Sequence, residues 1–334
     1  MRMKSFWTTL CLFLGAYLLF FVGPSKAQQN PCIATNLFFW GDPIPPGWVC
    51  GPGEGPYSML CSGPTVNCLG KMMWCPTCGK WVPIAGNPIN LTNGNTYIQE
   101  NDVRLPGLGG GISLLRTWNS IWPSSVSSYR TTGIFGPNWR STYEERIISD
   151  PATPSYLRSD GGLWYFSGSG TSFSLAVPKN AVASLTNDGT HWTLTFQNGE
   201  KKIFSYASGS LLQIIDRNGN TTQLTYDTGG ARLVGVTDAA SRHLYFTYTG
   251  SVVTSVTSDF GVSLSYTYDG SGRLSTVTKP DGSSWNFTYD SASLISAVKD
   301  GSGVLLESHT YDSVGRGLTS SQAGGVNAIS ISYH

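Results

Sequence analysis

The stretch YDGSGRLSTVTKPDGSSWNFTYD, residues 268–290, decides the fold, because its phrase recurs through the last third of the chain. Aligned on the closing tyrosine, the recurrences fall at Tyr206, Tyr226, Tyr248, Tyr268, Tyr289, Tyr311 and Tyr333, in steps of 20, 22, 20, 21, 22 and 22 residues. A period of this size marks one supersecondary unit that buries its apolar face against its neighbours. Within the quoted unit Trp285, Phe287 and Tyr289 alternate with Asn286 and Thr288, the period-2 pattern of a half-buried strand. Two residues before the tyrosine stand Phe204, Leu224, Phe246, Tyr266, Phe287, His309 and Ile331, so the core face is apolar in every unit except at His309.

The preceding strand carries apolar pairs three apart: Leu233 with Val236, Leu274 with Val277, Ile295 with Val298. On a regular strand that spacing puts the two on opposite faces, so either a bulge intervenes or both faces are covered. Lys279-Pro280-Asp281-Gly282 and Asp216-Arg217-Asn218-Gly219 are turns. An aspartate also follows the tyrosine at Asp227, Asp269, Asp290 and Asp312. Aspartate bonds its own backbone two residues on and glycine supplies positive φ, which explains the Tyr-Asp pairs as turn chemistry.

This phrase, with its G-R-L and D-G turns, resembles the YD-repeat (Rhs-type) family of bacterial polymorphic-toxin shells and wall-associated proteins, related to the teneurins. The signature positions are Tyr226, Asp227, Tyr268, Asp269, Tyr289, Asp290, Tyr311 and Asp312. Residues 86–120 and 133–145 resemble the module that precedes such repeats, through Pro88, Gly94, Asn95, Asp102, Pro106, Gly107, Arg116, Thr117, Asn119, Ser120, Phe135, Gly136 and Trp139. The resemblance implies a spiralling antiparallel sheet of tandem hairpins, a partial cocoon around a C-terminal toxin or effector, with a lead-in module that starts or plugs it. No catalytic residue comes with the resemblance, and the family's self-cleaving segment has no match here.

The expected organisation is a signal peptide (1–27), a cysteine-rich loop segment (28–85), the β-rich lead-in module (86–200) and YD repeats (201–334), an all-β fold throughout. Charged residues are only 12%, beside 40 glycines and 41 aromatics, which suits an extracellular β protein with many tight turns. Arg2 and Lys4 precede an apolar run from Phe6 to Val22, and Ser25-Lys26-Ala27 offers a cleavage site after Ala27, the pattern of a secretory signal. The alternative is an uncleaved anchor, the chain's one route to a membrane. Cleavage leaves 18 basic against 20 acidic residues, a net charge of −2, which gives no electrostatic case for nucleic acid.

Cleavage also leaves six cysteines, Cys32, Cys50, Cys61, Cys68, Cys75 and Cys78, in one Pro/Gly-rich segment. In a secreted chain this reads as three disulfides, with fifteen pairings open. The alternative is zinc on Cys61, Cys68, Cys75 and Cys78, although only Cys75 and Cys78 have knuckle spacing.

No cofactor is implied. The glycine run Gly109-Gly110-Gly111 lacks the helix and the GK[ST] of a phosphate loop, and Pro106-Gly107 suits a type II turn. Asn198-Gly199 suits a type I′ hairpin turn. Arg116 and Arg140 flank Trp118 and Trp139 as packed stems. His191, His243, His309 and His334 lack the spacing of metal ligands. Glu144 and Glu145 are adjacent and cannot easily flank one bond.

The expected role is a secreted, non-enzymatic shell whose cargo is a toxin or effector absent from the chain. A carbohydrate-binding or adhesion surface contacting wall glycan, or a carboxylate-dependent hydrolase, are the alternatives. Ile329, Ile331 and Tyr333 share one face of a last strand with no proline or lysine guarding residues 317–334. Self-association through that C-terminal edge is therefore expected.

Overall fold

Nineteen strands, each hydrogen-bonded to the one before it and the one after, run from Arg146–Ile148 to Ile329–Ser330 in one antiparallel sheet. The computed structural model describes residues 88–333 except 152 and 180; of residues 32–85 it describes the backbone of strands alone. Strict sequence order is what consecutive hairpins impose, because each short turn leaves the next strand no neighbour but the last. The sheet is not closed into a barrel. Its first strand does return to touch a later turn: the Ile147 amide donates to the Gly209 carbonyl at 2.9 Å and Arg146 bridges Ser210.

A bulge resolves the apolar pairs three apart. Thr225 pairs with Gly235 but Tyr226 with Leu233, leaving Val234 without a partner. Thr254, Ser275 and Ser296 are skipped in the same way beside Tyr248, Tyr268 and Tyr289. One extra residue turns the strand by one pleat, and both members of each pair enter the same core. Leu233 and Val236, Leu274 and Val277, and Ile295 and Val298 are all buried.

The bulge also corrects the alignment of the first unit. Its shift lies between Ile203 and Phe204, and Phe204 pairs with Leu211 as Tyr226 pairs with Leu233. Phe204, fully buried, therefore stands at the tyrosine position; Tyr206 lies two residues further on, in the turn, 41% exposed. The spacing to Tyr226 becomes 22 residues. Lys202 then occupies the core-face position of this unit, so the polar exceptions are two, Lys202 and His309.

Against the inner face of the sheet lies an inner module, residues 88–145. Its strands Tyr97–Leu105, Ile112–Asn119 and Trp139–Ser141 form a separate three-stranded sheet. Helical structure among the described residues is confined to short 3-10 segments, the longest Ser124–Thr131. Two expected turns differ. Gly107 is extended (φ −179°), so no type II turn forms at Pro106-Gly107, and positive φ falls on Gly109, Gly110 and Gly111 instead. Asn198 is absent from the positive-φ residues while Gly199 has φ 87°, a type I turn closed by a left-handed glycine rather than type I′.

The last strand also departs from expectation. Ile331 is 9% exposed and packs with Ile329 and Tyr333 on Ile89 and Leu91 of the inner module. The apolar face of that strand is thus covered from within the chain.

Candidate functional site

Each signature aspartate is consumed by its own turn. Asp269 Oδ1 accepts the amides of Ser271 and Arg273, and Asp312 Oδ1 those of Val314 and Arg316. Asp290 takes Ala292 and Leu294, and Asp227 takes Ala231 and Arg232. Amide donors hold the Asp227 carboxyl below the usual range. At Asp269 and Asp312 partial burial opposes the charge, and the side chains and amides of Arg273 and Arg316 outweigh it and lower the pKa. The arginine at the end of the Tyr-Asp turn has two tasks. Arg273 and Arg316 bond back to Asp269 and Asp312, and their guanidinium groups lie 4.6 and 4.2 Å from the rings of Tyr289 and Tyr333 in the next unit. Arg232 reaches Tyr248 at 5.7 Å.

The tyrosines form a ladder. The hydroxyls of Tyr226, Tyr248, Tyr268, Tyr289, Tyr311 and Tyr333 donate to the carbonyls of Leu211, Leu233, Val253, Leu274, Ile295 and Gly317, at 2.6–2.9 Å. Each acceptor sits at a bulge, opposite the aromatic residue of the previous unit. The bulge breaks the ladder of backbone bonds locally, and the hydroxyl satisfies the carbonyl there. Burial keeps these phenols protonated: desolvation raises Tyr226, Tyr248, Tyr268 and Tyr289 well above the ordinary value.

The inner module is seated on this array by buried polar contacts. Arg116 and Asp102, both about 1% exposed in their side chains, form a bidentate pair, and Tyr266 of the sheet donates to Asp102 Oδ2 at 2.7 Å. The Arg116 guanidinium also lies 4.7 Å from the Trp139 ring and 5.4 Å from that of Tyr266. Burial opposes its charge, but Asp102 outweighs burial and raises the Arg116 pKa. Phe135 meets Tyr266, Trp139 meets Phe287, Tyr143 meets Phe246 and Trp118 meets Tyr311, with ring centroids 4.9–6.5 Å apart.

Successive turns of the sheet each touch a different part of the module. Asp216 accepts the Gly109 amide and Arg242 donates to the Pro106 carbonyl. Val253 donates to the Ile134 carbonyl and Gly317 to that of Gly94. At Gly94 (φ +76°) a β-carbon would lie 2.6 Å from Arg316 Cβ, and at Gly136 (φ +93°) 3.2 Å from the Gly272 carbonyl oxygen. Those contacts explain Gly94 and Gly136. Asn95 likewise ties Asn119, Ser120 and Ile121 into one corner.

The candidate catalytic groups are engaged elsewhere. Glu144 accepts from Ile134, Ser141 and Arg140, while Glu145 accepts from Tyr156 and Lys202, each at 2.6 Å. Burial alone would raise Glu145, yet the Lys202 ammonium holds its carboxyl below the ordinary range. The two carboxylates therefore serve different partners. His309 is 3% exposed, 3.4 Å from Glu307, and His191 and His243 are paired with Asp188 and Asp259. No group of three metal-ligating side chains exists among the described residues. The side chains of Cys32, Cys50, Cys61, Cys68, Cys75 and Cys78, the signal segment and His334 lie outside the described residues.

Sequence reasoning missed Lys202 and Tyr156, the partners of Glu145, and the stacking of Arg232, Arg273 and Arg316. An arginine four or five residues after each of Asp227, Asp269 and Asp312 carried a signal for them. A lysine on an alternating strand carried none.

Residues 86–172 match a domain of unknown function, DUF6531, and residues 253–284 and 268–305 match the RHS repeat. The chain carries RHS repeats behind that domain. Its relatives include the tRNA nuclease WapA of Bacillus subtilis (strain 168) and the tRNA3(Ser)-specific nuclease WapA of Bacillus spizizenii. Each is 28% identical over 146 residues, 44% of this chain and 6% of that protein. The YD-repeat chain thus aligns with a small fraction of either relative's length. Among solved structures, a complex titled TcdB2-TccC3-Cdc42 aligns over 73% of this chain and 12% of that one, at 17% identity and a TM-score of 0.29. No helix among the described residues is long and apolar enough to cross a membrane.

Proposed function

We propose that this chain is a non-enzymatic shell segment, secreted or displayed at the cell surface, whose sheet winds around its inner module and continues toward a C-terminal toxin or effector cargo. The observation that carries the reading is the complete internal use of the signature: every YD aspartate closes its own turn and every ladder tyrosine bonds a bulge carbonyl. Groups spent in this way hold a wall together and leave nothing to act on a substrate. The relatives named as tRNA nucleases support a cargo-bearing role for longer proteins of this type, and the shell alone accounts for none of that activity.

The carbohydrate-binding alternative draws less support. Trp118, Trp122, Trp139, Trp164 and Trp192 are all buried, so they offer no stacking platform for sugars. Incubating the purified chain with total tRNA tests the main reading, with no cleavage above a buffer control as the expected result. Cleavage that disappears in a Glu145→Gln variant would restore the hydrolase alternative.

A further inference from the structure

Between the inner module and the start of the sheet lies a polar cavity of about 100 Å³, lined by Arg140, Arg146, Thr132, Ser210 and Tyr226 together with Glu144 and Glu145. We propose that this cavity binds one small monovalent inorganic anion of halide size, held by Arg140 and Arg146.

Donors on both arginines are left over once the bonds around the cavity are counted. Glu144 Oε1 is taken by the Ile134 amide and Arg140, and Oε2 by the Ser141 amide. Glu145 Oε2 is taken by Tyr156 and Lys202. Arg140 spends Nη1 on Glu144 and Nη2 on the Tyr129 carbonyl and Thr132. Arg146 spends Nη2 on the Ser208 carbonyl. The Nε of each arginine is buried and meets no acceptor, and Arg140 as a whole is only 4% exposed.

Charge follows the same pattern. Arg140 is matched to Glu144 and Lys202 to Glu145, with Glu200 reaching Lys202 only at 3.9 Å from the solvent side. Arg146 forms no ion pair with a carboxylate; its guanidinium meets the Ser208 carbonyl and lies 4.8 Å from the Tyr129 ring. Arginine cannot shed its proton to relieve this. Two unsatisfied cationic donors beside a cavity call for an acceptor that carries negative charge and donates nothing. The cavity has room for a halide with part of its hydration. The same place is where the sheet's first strand meets the turn at Gly209 and Ser210, so the anion would fasten that contact.

The test uses the full chain at constant ionic strength, replacing gluconate stepwise by chloride or bromide and following thermal unfolding. A ligand that binds only the folded state raises the folded-to-unfolded ratio about tenfold per tenfold of halide above its Kd. That saturable dependence is expected in the wild type, about tenfold weaker in Arg146→Lys and absent in Arg146→Gln. A bromide-soaked crystal of the wild type should give an anomalous peak between Arg140 and Arg146, a readout that does not depend on either variant folding. Equal unfolding in gluconate and bromide, or a cavity without an anomalous peak, overturns the proposal.

Discussion

The inner module and the repeat sheet pack on one another yet hold themselves together by opposite means. The sheet repeats one small set of bonds: an aspartate in its turn, an arginine over the next ring, a phenol on a bulge carbonyl. Each contributes on the order of 1 kcal/mol, and losing one leaves its neighbours intact. The module has no repeat, and it is anchored by single buried constellations such as Asp102–Arg116–Tyr266. Damage should therefore be graded in the sheet and abrupt in the module.

The largest effect is expected at Arg116. Arg116→Met leaves Asp102 buried without its partner, which costs about 3–5 kcal/mol, and urea unfolding should show the midpoint collapse. A loss under about 1 kcal/mol would mean that the ring contacts, not the ion pair, seat the module.

Next comes Glu100, on the strand of Asp102 and opposite Arg116, whose carboxyl burial pushes up to about 7 from 4.5. Its folded pKa lies above the unfolded one, so the folded state binds the extra proton between those values. Stability is then full below about pH 4.5 and falls as the pH rises toward 7. Glu100→Gln should remove this slope and stabilise the protein at pH 8 by about 1–3 kcal/mol. Parallel pH–stability curves for the two proteins would show that the carboxyl is solvated.

Tyr268→Phe strips the hydroxyl from the Val253 carbonyl and should cost about 1 kcal/mol. The reverse change, Phe204→Tyr, should destabilise, because the fully buried ring at Phe204 gains a hydroxyl to satisfy. If both changes were neutral, the phenol ladder would be incidental to the sheet. Arg273→Met should have the smallest effect, at most about 1 kcal/mol for a partly exposed cation over Tyr289. A double-mutant cycle with Tyr289→Leu measures it.

The signature itself was legible in the chain because its causes are local. Asp269 and Gly272 act within one turn, and the Trp285, Phe287, Tyr289 alternation follows from the pleat. Even the bulge left a trace in the Leu274–Val277 spacing. Phe204 was misread for the same reason, since Tyr206 imitates the letter of the signature while the register that excludes it is a property of paired strands.

What the sequence by itself determined is the all-β sheet of consecutive hairpins, since alternation, turn chemistry and a period near 22 residues act over distances the chain sets directly. Only the tertiary structure decided which residues stand across from one another. The Asp102–Tyr266 bond spans 164 residues, Glu145 finds Lys202 57 residues away, and Ile331 is covered by Ile89. Such contacts depend on how the whole sheet curves around the module. That curvature sums the twist and bulges of many strands, and no single stretch of the chain encodes it.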